Sequence, residues 1–397
     1  MTTTSSNSPP PPPQTPPPQT PSPPPKECDG YPYPMVPNDI QHEYSFYLPY
    51  GSNNGNKNDG QNGSGDGGGG GRGMLACTLY YHPTSTTSSA SASTTTTTST
   101  PNNNSRESIV NSLKTLDRSI PLIIICHGYA SWRNQMLLAF LAGGLYNQKE
   151  KKQNQNQKKF HVLRFDFINN GHSHYTTLGN DVAEDHDNIC YFSNYQVEYD
   201  NLQTIIKFVQ QDLKCSIACL IGHSKATYNI LKYASEQSEQ ESNLHHIIPC
   251  FVNLSGRYYI PGTYDLMKRF TKRNIQDELN SNNGQVVVGK CGIRDCVLTK
   301  QCLQERNTLD TQAILSKICE KNNDTTTYIL TIHGTQDEMI PVQDAYKFDN
   351  ALPKSNHELC IVEGANHNYN GLKYNKQLVE TIYNFITKMH LPSFDKM

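Results

Sequence analysis

From about residue 120 onward the sequence switches repeatedly between two hydrophobic periods, and this alternation limits the possible folds more than any other feature. Apolar, β-branched runs occur at "PLIIICH", "FHVLRFDF", "SIACLIGH", "IIPCFVNLS", "TYILTIHG" and "ELCIVEG". Each is short enough to be a strand buried on both faces. Between them lie segments of helical period, among them "NQMLLAFLAGGLYN", "EYDNLQTIIKFVQQDL" and "KATYNILKYASEQ". Strands alternating with helices require crossover connections, which place the strands mainly parallel in one sheet and cover both of its faces. The expected class is therefore α/β, with function gathered in loops at the carboxyl ends of the strands.

The first third of the 397 residues reads differently. Residues 1–30 contain "PPPPPQTPPPQTPSPPP", a disordered polyproline-type tail too poor in apolar side chains to offset the entropy of ordering. It has the composition that SH3- or WW-type grooves bind, although a spacer is the simpler reading. Three more biased tracts, at 51–73, 84–107 and 148–159, are expected to be disordered surface loops. "EYSFYLPY" and "MLACTLYYH" flank the first of them like the strands of a hairpin whose turn has been expanded. Because closure entropy grows only logarithmically with loop length, such insertions decorate a fold without dividing it. One domain over 31–397 is therefore expected.

A formal net charge of -2 gives no field to attract nucleic acid or an anionic membrane surface. The local run "KEKKQNQNQKK" reads as a solvated loop. No apolar run approaches the ~18 residues that cross a bilayer, and the N-terminus lacks the pattern of a secretory signal, so a cytoplasmic protein is expected. Of twelve cysteines, Cys126, Cys219, Cys250 and Cys360 lie in apolar runs, as small reduced core residues do. Cys291, Cys296 and Cys302 cluster without a CxxC pair or nearby histidine, which argues against zinc. The glycine-rich 67–73 lacks the Lys-Ser/Thr of a phosphate loop, so neither a metal nor a cofactor is expected.

Ser224 stands in Gly222-His223-Ser224-Lys225-Ala226, a G-x-S-x-A pattern at a strand-to-helix boundary. Small residues two before and two after the serine permit the sharp turn that lifts a hydroxyl above a sheet. Asp337 follows the "YILTIHG" strand and His367 follows "ELCIVEG", giving the order Ser, Asp, His at successive strand ends. A serine hydroxyl needs an imidazole base, and the imidazole needs a carboxylate to fix its tautomer. At "IICHGYASW" the backbone N–H of Tyr129, with that of Lys225, is placed to hold the oxyanion of a tetrahedral intermediate. His127 reads as a structural hydrogen-bonding residue. Asp344 and Asp349 compete weakly for the acid role, since both fall on an expected helix.

The pieces "LIIICHGYASWRNQ", "VLRFDFINNGHSH", "IGHSKATYNIL", "NLSGRY", "LTIHGTQDEMIPVQDAYKF" and "IVEGANHNY" together resemble the serine-hydrolase branch of the α/β-hydrolase superfamily. The similarity is greatest to feruloyl-esterase-like hydrolases classed with serine aminopeptidase S33-type domains, and it spans about 110–390. The resemblance implies a triad of Ser224, Asp337 and His367, hydrolysis of a carboxylic ester or related acyl bond, and a mainly structural role for the segment carrying Asp166 and His172. It departs at Ala226, where glycine is commoner, and at Thr227, where another small residue is frequent. In this fold a helical cap follows the sixth strand, here at about 257–325, where Tyr258, Tyr259, Tyr264 and Phe270 mix with charged residues. That mixture favours small or medium acyl esters over long-chain lipids. A peptidase or thioesterase on the same triad, and a non-catalytic scaffold using the tail, are the rival readings.

Overall fold

The computed structural model describes residues 42–50, 72–84, 95–98, 105–148, 158–176, 189–191, 195–237, 247–261, 275–281, 284–291, 294–321 and 327–389. The tail at 1–30, nearly all of the first tract and most of the other two lie outside the described residues, as do Tyr264 and Phe270.

The six apolar runs form β4 (Leu122–Cys126), β5 (His161–Phe165), β8 (Ile217–His223), β9 (Cys250–Leu254), β12 (Tyr328–Gly334) and β13 (His357–Val362). They pair in parallel in the spatial order β13-β12-β9-β8-β4-β5. The sheet continues antiparallel into β2 (Arg72–Tyr80) and β1 (His42–Tyr50), which form the expected hairpin with Glu43 opposite Tyr80 and Tyr50 opposite Gly73. Two short strands, β3 (Thr95–Thr98) and β6 (His174–Thr176), add to this end by pairing with β1 and β2.

Side chains of β4 show why the runs are continuous rather than alternating. Leu122, Ile124 and Cys126 enter one core, and Ile123 and Ile125 enter the other. The first core is covered by α1 (Arg106–Ser112), α3 (Tyr195–Lys207), α4 (Ala226–Glu236), α7 (Thr311–Lys321) and α8 (Gln343–Ala351). The second is covered by α2 (Met136–Tyr146) and α9 (Leu372–Lys388). Each fully buried aliphatic side chain is worth about 1.5–3 kcal/mol, so the two layers hold the strand ends in fixed register.

Three boundaries differ from the sequence reading. Arg72 and Gly73, assigned to a loop tract, belong to β2. Thr95–Thr98, inside another tract, is a strand, consistent with the fit of a β-branched residue to extended backbone. Ser105, near the end of that tract, caps α1 by accepting the Ser108 N–H at 3.1 Å.

The insertion after β9, the sixth long strand, carries helices α5 (Ile275–Ser281) and α6 (Lys300–Thr308), and also a hairpin of β10 (Gln285–Cys291) and β11 (Arg294–Thr299). β11 pairs in parallel with β7 (Ile189–Tyr191) from far upstream. Helix α7 packs on α4 and so belongs to the main layers. Cys126, Cys219 and Cys250 are buried free thiols, and Cys360 is a half-buried one. No helix among the described residues is long and apolar enough to cross a membrane, and no described cluster of His, Cys, Asp and Glu could hold a metal ion.

Candidate active site

Strand β8 ends in Gly222-His223, and Ser224 turns the chain with φ of 56°, a left-handed conformation that a non-glycine residue adopts at a cost of about 1–3 kcal/mol. The turn is fixed from both sides. The Ser224 N–H donates to the Leu254 carbonyl at 2.8 Å, and the Thr227 N–H donates to the Ser224 carbonyl at 3.1 Å. A Cβ on Gly222 would lie 2.9 Å from the backbone of Ala226 and Thr227, which is why the first small residue must be glycine. The two departures from the family pattern are both absorbed: the Ala226 methyl is fully buried in the core, and the Thr227 hydroxyl lies 3.0 Å from the Gly222 carbonyl and 3.1 Å from Asn253 Oδ1.

The loops after β12 and β13 bring Asp337 and His367 to the serine. His367 Nε2 is 3.0 Å from Ser224 Oγ, and His367 Nδ1 is 2.8 Å from Asp337 Oδ2. Asp337 Oδ2 also lies 3.1 Å from His333 Nε2, while its Oδ1 accepts the N–H groups of Met339 at 2.8 Å and Ile340 at 2.7 Å. Burial alone pushes the Asp337 carboxyl up, but the hydrogen bonds from His333 and His367 outweigh it and hold the group well below the usual carboxylate range. It is therefore a carboxylate at any ordinary pH, and it fixes the Nδ1–H tautomer of His367, leaving Nε2 to accept from the serine.

Lys225 lies next to Ser224 in the chain, and Tyr129, beside Gly128, lies close to it in space. The loop after β4 approaches so closely that a Cβ on Gly128 would stand 2.9 Å from Ser224 Cβ. Lys225 is the first residue of the turn into α4, where N–H groups and the helix dipole favour negative charge. Behind Tyr129 the loop is held by buried polar groups. Asp166, fully buried, accepts the Arg133 N–H at 2.5 Å, the Arg133 guanidinium and the His172 N–H at 2.9 Å. Arg164 donates to the Arg133 carbonyl at 3.0 Å and to Tyr80 Oη at 2.7 Å. His127 Nδ1 is 2.8 Å from the Gly128 carbonyl, and its Nε2 accepts the Phe167 N–H at 3.0 Å. Asp166, His172 and His127 thus shape the loop and do not touch Ser224 Oγ in these hydrogen bonds.

The competing carboxylates are engaged elsewhere. Asp344 accepts the Tyr258 N–H at 3.1 Å and Lys347 Nζ at 3.0 Å, and Asp349 lies 3.1 Å from His357 Nδ1. In the cap, Thr299 caps α6 by accepting the Cys302 N–H at 3.1 Å, and Tyr259 is 65% exposed, so it contributes little to a closed pocket.

Sequence reasoning passed over several supports of the Ser224–His367–Asp337 hydrogen-bond chain. His223 Nε2–H donates to the His367 carbonyl at 3.1 Å, Glu338 accepts the His367 N–H at 3.2 Å, and Gln135 donates to Asn368 at 3.0 Å, tying the loop after β4 to the histidine loop. His223 precedes Ser224 directly and His333 stands four residues before Asp337, and that proximity was the available signal. Burial, with the neighbouring His367, pushes His223 down to about 3; burial likewise pushes His82 and His161 down to about 4. Unfolding exposes these rings, so between pH 6.5 and 4 the unfolded chain binds more protons and stability falls as pH falls. His223 alone should cost on the order of 3 kcal/mol by pH 4. Urea midpoints measured from pH 7 to pH 4 should decline across that window, and a flat profile would show these rings to be charged in the folded state.

A profile of the Prolyl oligopeptidase family matches residues 294–391, less than half of the chain, in the stretch that carries Asp337 and His367. No curated protein matches. Est1E from Butyrivibrio proteoclasticus, solved with ferulic acid bound, superposes with a TM-score of 0.50 at 18% identity, covering 69% of this chain and 91% of that one. A protein from Agrobacterium vitis S4 superposes with a TM-score of 0.51 at 15% identity, covering 81% of this chain and 96% of that one. The chain has the α/β-hydrolase fold. Across the sheet the long strands, numbered in chain order, run first, second, fourth, third, fifth, sixth, seventh and eighth, and the loops carrying Ser224, Asp337 and His367 leave the carboxyl ends of the fifth, seventh and eighth.

Proposed function

We propose that this α/β-hydrolase is a serine hydrolase that cleaves a carboxylic ester through a covalent acyl-enzyme, with Ser224 as nucleophile, His367 as base and Asp337 as its orienting acid. The observation that carries the reading is the continuous hydrogen-bond chain from Ser224 Oγ through both nitrogens of His367 to Asp337. A scaffold that had lost catalysis has no physical need for that chain or for a serine held at φ of 56°.

In the proposed reaction Ser224 Oγ bonds to the acyl carbon as His367 Nε2 takes the hydroxyl proton. The tetrahedral oxyanion is held by the backbone N–H groups of Tyr129 and Lys225. His367 gives its proton to the leaving oxygen, the carbon–oxygen bond breaks, and an alcohol departs. Water then repeats the sequence on the acyl-enzyme, with His367 again the base, and releases the acid and Ser224. The ferulic acid bound to Est1E supports an ester substrate, whereas the Prolyl oligopeptidase profile keeps an amide bond as the second reading.

A fluorophosphonate probe should label the purified protein, and Ser224→Ala should abolish labelling while leaving the circular dichroism spectrum unchanged. A folded wild type that does not label would remove the serine-hydrolase reading. Paired acyl p-nitrophenyl esters and p-nitroanilides of the same acyl group then decide between the ester and amide readings.

A further inference from the structure

The side chain of Lys225, next to the nucleophile, does not reach solvent. Its Nζ lies 2.5 Å from Glu198 Oε1 on α3, with the two side chains only 7% and 9% exposed. The same Nζ stands 4.9 Å from the centre of the Tyr195 ring. Taking both charges out of water is costly, and an acyl transfer has no step that uses them.

The start of α3, the helix that carries Glu198, is held from the cap. On α6, Glu305 accepts the N–H groups of Tyr195 at 3.0 Å and Gln196 at 2.7 Å, closing the start of α3. The next residue, Arg306, donates to Tyr195 Oη at 3.2 Å and to the Ile260 carbonyl at 3.2 Å. In the loop after β4, Tyr129 Oη lies 2.8 Å from Cys296 Sγ on β11. Tyr129 and Ala130 also pack on the cap core that includes Ile275, Leu279 and Val286. Of the two residues whose backbone N–H groups are assigned to the oxyanion, Tyr129 is thus tied to the inserted cap by its own side chain, and Lys225 through Glu198 and Tyr195 of α3.

We propose that the Glu198–Lys225 ion pair is a positioning device that transmits the seating of the cap on α3 to the Lys225 N–H, so that the oxyanion hole is complete only with the cap in place. The inference rests on the acyl-transfer reading above. Glu198 touches no reacting atom in this arrangement and acts through Lys225. An N–H displaced by a fraction of an ångström binds the substrate carbonyl almost as before but stabilises the oxyanion less, so the effect falls on kcat and not on KM.

The test uses the full-length chain with p-nitrophenyl acetate, and counts working serines by end-point fluorophosphonate labelling. Glu198→Ala should lower kcat per labelled serine about ten- to a hundredfold with KM within about twofold. Glu198→Gln keeps an acceptor for Nζ and should recover kcat to within about threefold of wild type. A folded Glu198→Ala with wild-type kcat, or one that changes only KM, overturns the proposal. Should Glu198→Ala not fold, Glu305→Ala at the half-buried cap contact takes its place: a fall of about three- to tenfold in kcat at constant KM supports the transmission, and an unchanged kcat overturns it. A wild type that neither labels nor hydrolyses the ester overturns the acyl-transfer reading itself, whereas an active wild type with indifferent variants overturns only the positioning role.

Discussion

Asp337→Asn should lower kcat about 10⁴-fold while changing KM little. The size of the effect follows from the four donors around the carboxylate. Asn at this position keeps its carbonyl oxygen on the N–H groups of Met339 and Ile340, because those contacts at 2.8 and 2.7 Å accept no other orientation. Its amide NH2 then faces His367 Nδ1 at the place where Oδ2 stood. The imidazole must present a lone pair there and carry its proton on Nε2, directed at Ser224 Oγ. A ring in that tautomer cannot accept the serine proton. His333 is less affected, since its Nε2 also lies 3.0 Å from the Ile340 carbonyl. The loss of charge-assisted bonds should destabilise the fold by only about 1–3 kcal/mol, so the variant remains foldable and its turnover of p-nitrophenyl acetate can be measured. Turnover within tenfold of wild type would exclude Asp337 from the orienting role.

The second large effect concerns stability and lies away from the reacting atoms. Asp166→Ala should destabilise the protein by about 3–5 kcal/mol, because it leaves the Arg133 guanidinium buried without its counter-charge. That is a large share of the ~5–15 kcal/mol that holds a typical domain together. Burial pushes the Asp166 carboxyl up, but hydrogen bonding from His172 and the charge of Arg133 outweigh it and hold the group below its ordinary value. The carboxylate therefore stays charged and paired through the working pH range. Loss of it should lower the thermal midpoint by on the order of 10 °C. Asp166→Asn retains an acceptor for the Arg133 N–H and should lose less. An unchanged midpoint in Asp166→Ala would show that water or another side chain replaces the carboxylate at no cost.

The parallel sheet and the convergence of Ser224, Asp337 and His367 were legible because each rests on a local pattern. A run such as "LIIIC" allows few structures other than a strand buried on both faces, and a strand end fixes where the next side chain emerges. Ser224, Asp337 and His367 each follow such a run, so the run locates the residue. Helix α9 was equally legible in principle, since Leu378, Ile382, Phe385 and Ile386 repeat at helical spacing, yet it carries no motif to draw attention to it. The cap is a different case. Its three-stranded sheet pairs Asp295, Cys296 and Val297 with Ile189, Cys190 and Tyr191, strands of three to seven residues separated by about a hundred positions in the chain. Nothing in either segment alone specifies the other. The same holds for Glu198 and Lys225, whose pairing depends on the approach of α3 to α4, and for Arg133 and Asp166, whose pairing depends on the crossover between adjacent strands.

The strand Thr95–Thr98 lies at the edge of the sheet beside β1, inside a longer run of threonines. Its bonds to β1 use only backbone N–H and C=O groups, which every threonine of the run presents alike. A homopolymer in that place has no unique register to lose. Adding or removing one threonine would slide an equivalent residue into each position and leave the ladder with His42, Glu43, Tyr44 and Ser45 as it was. The margin of this sheet therefore tolerates a change of length that β1 behind it, whose buried and half-buried side chains alternate, would not.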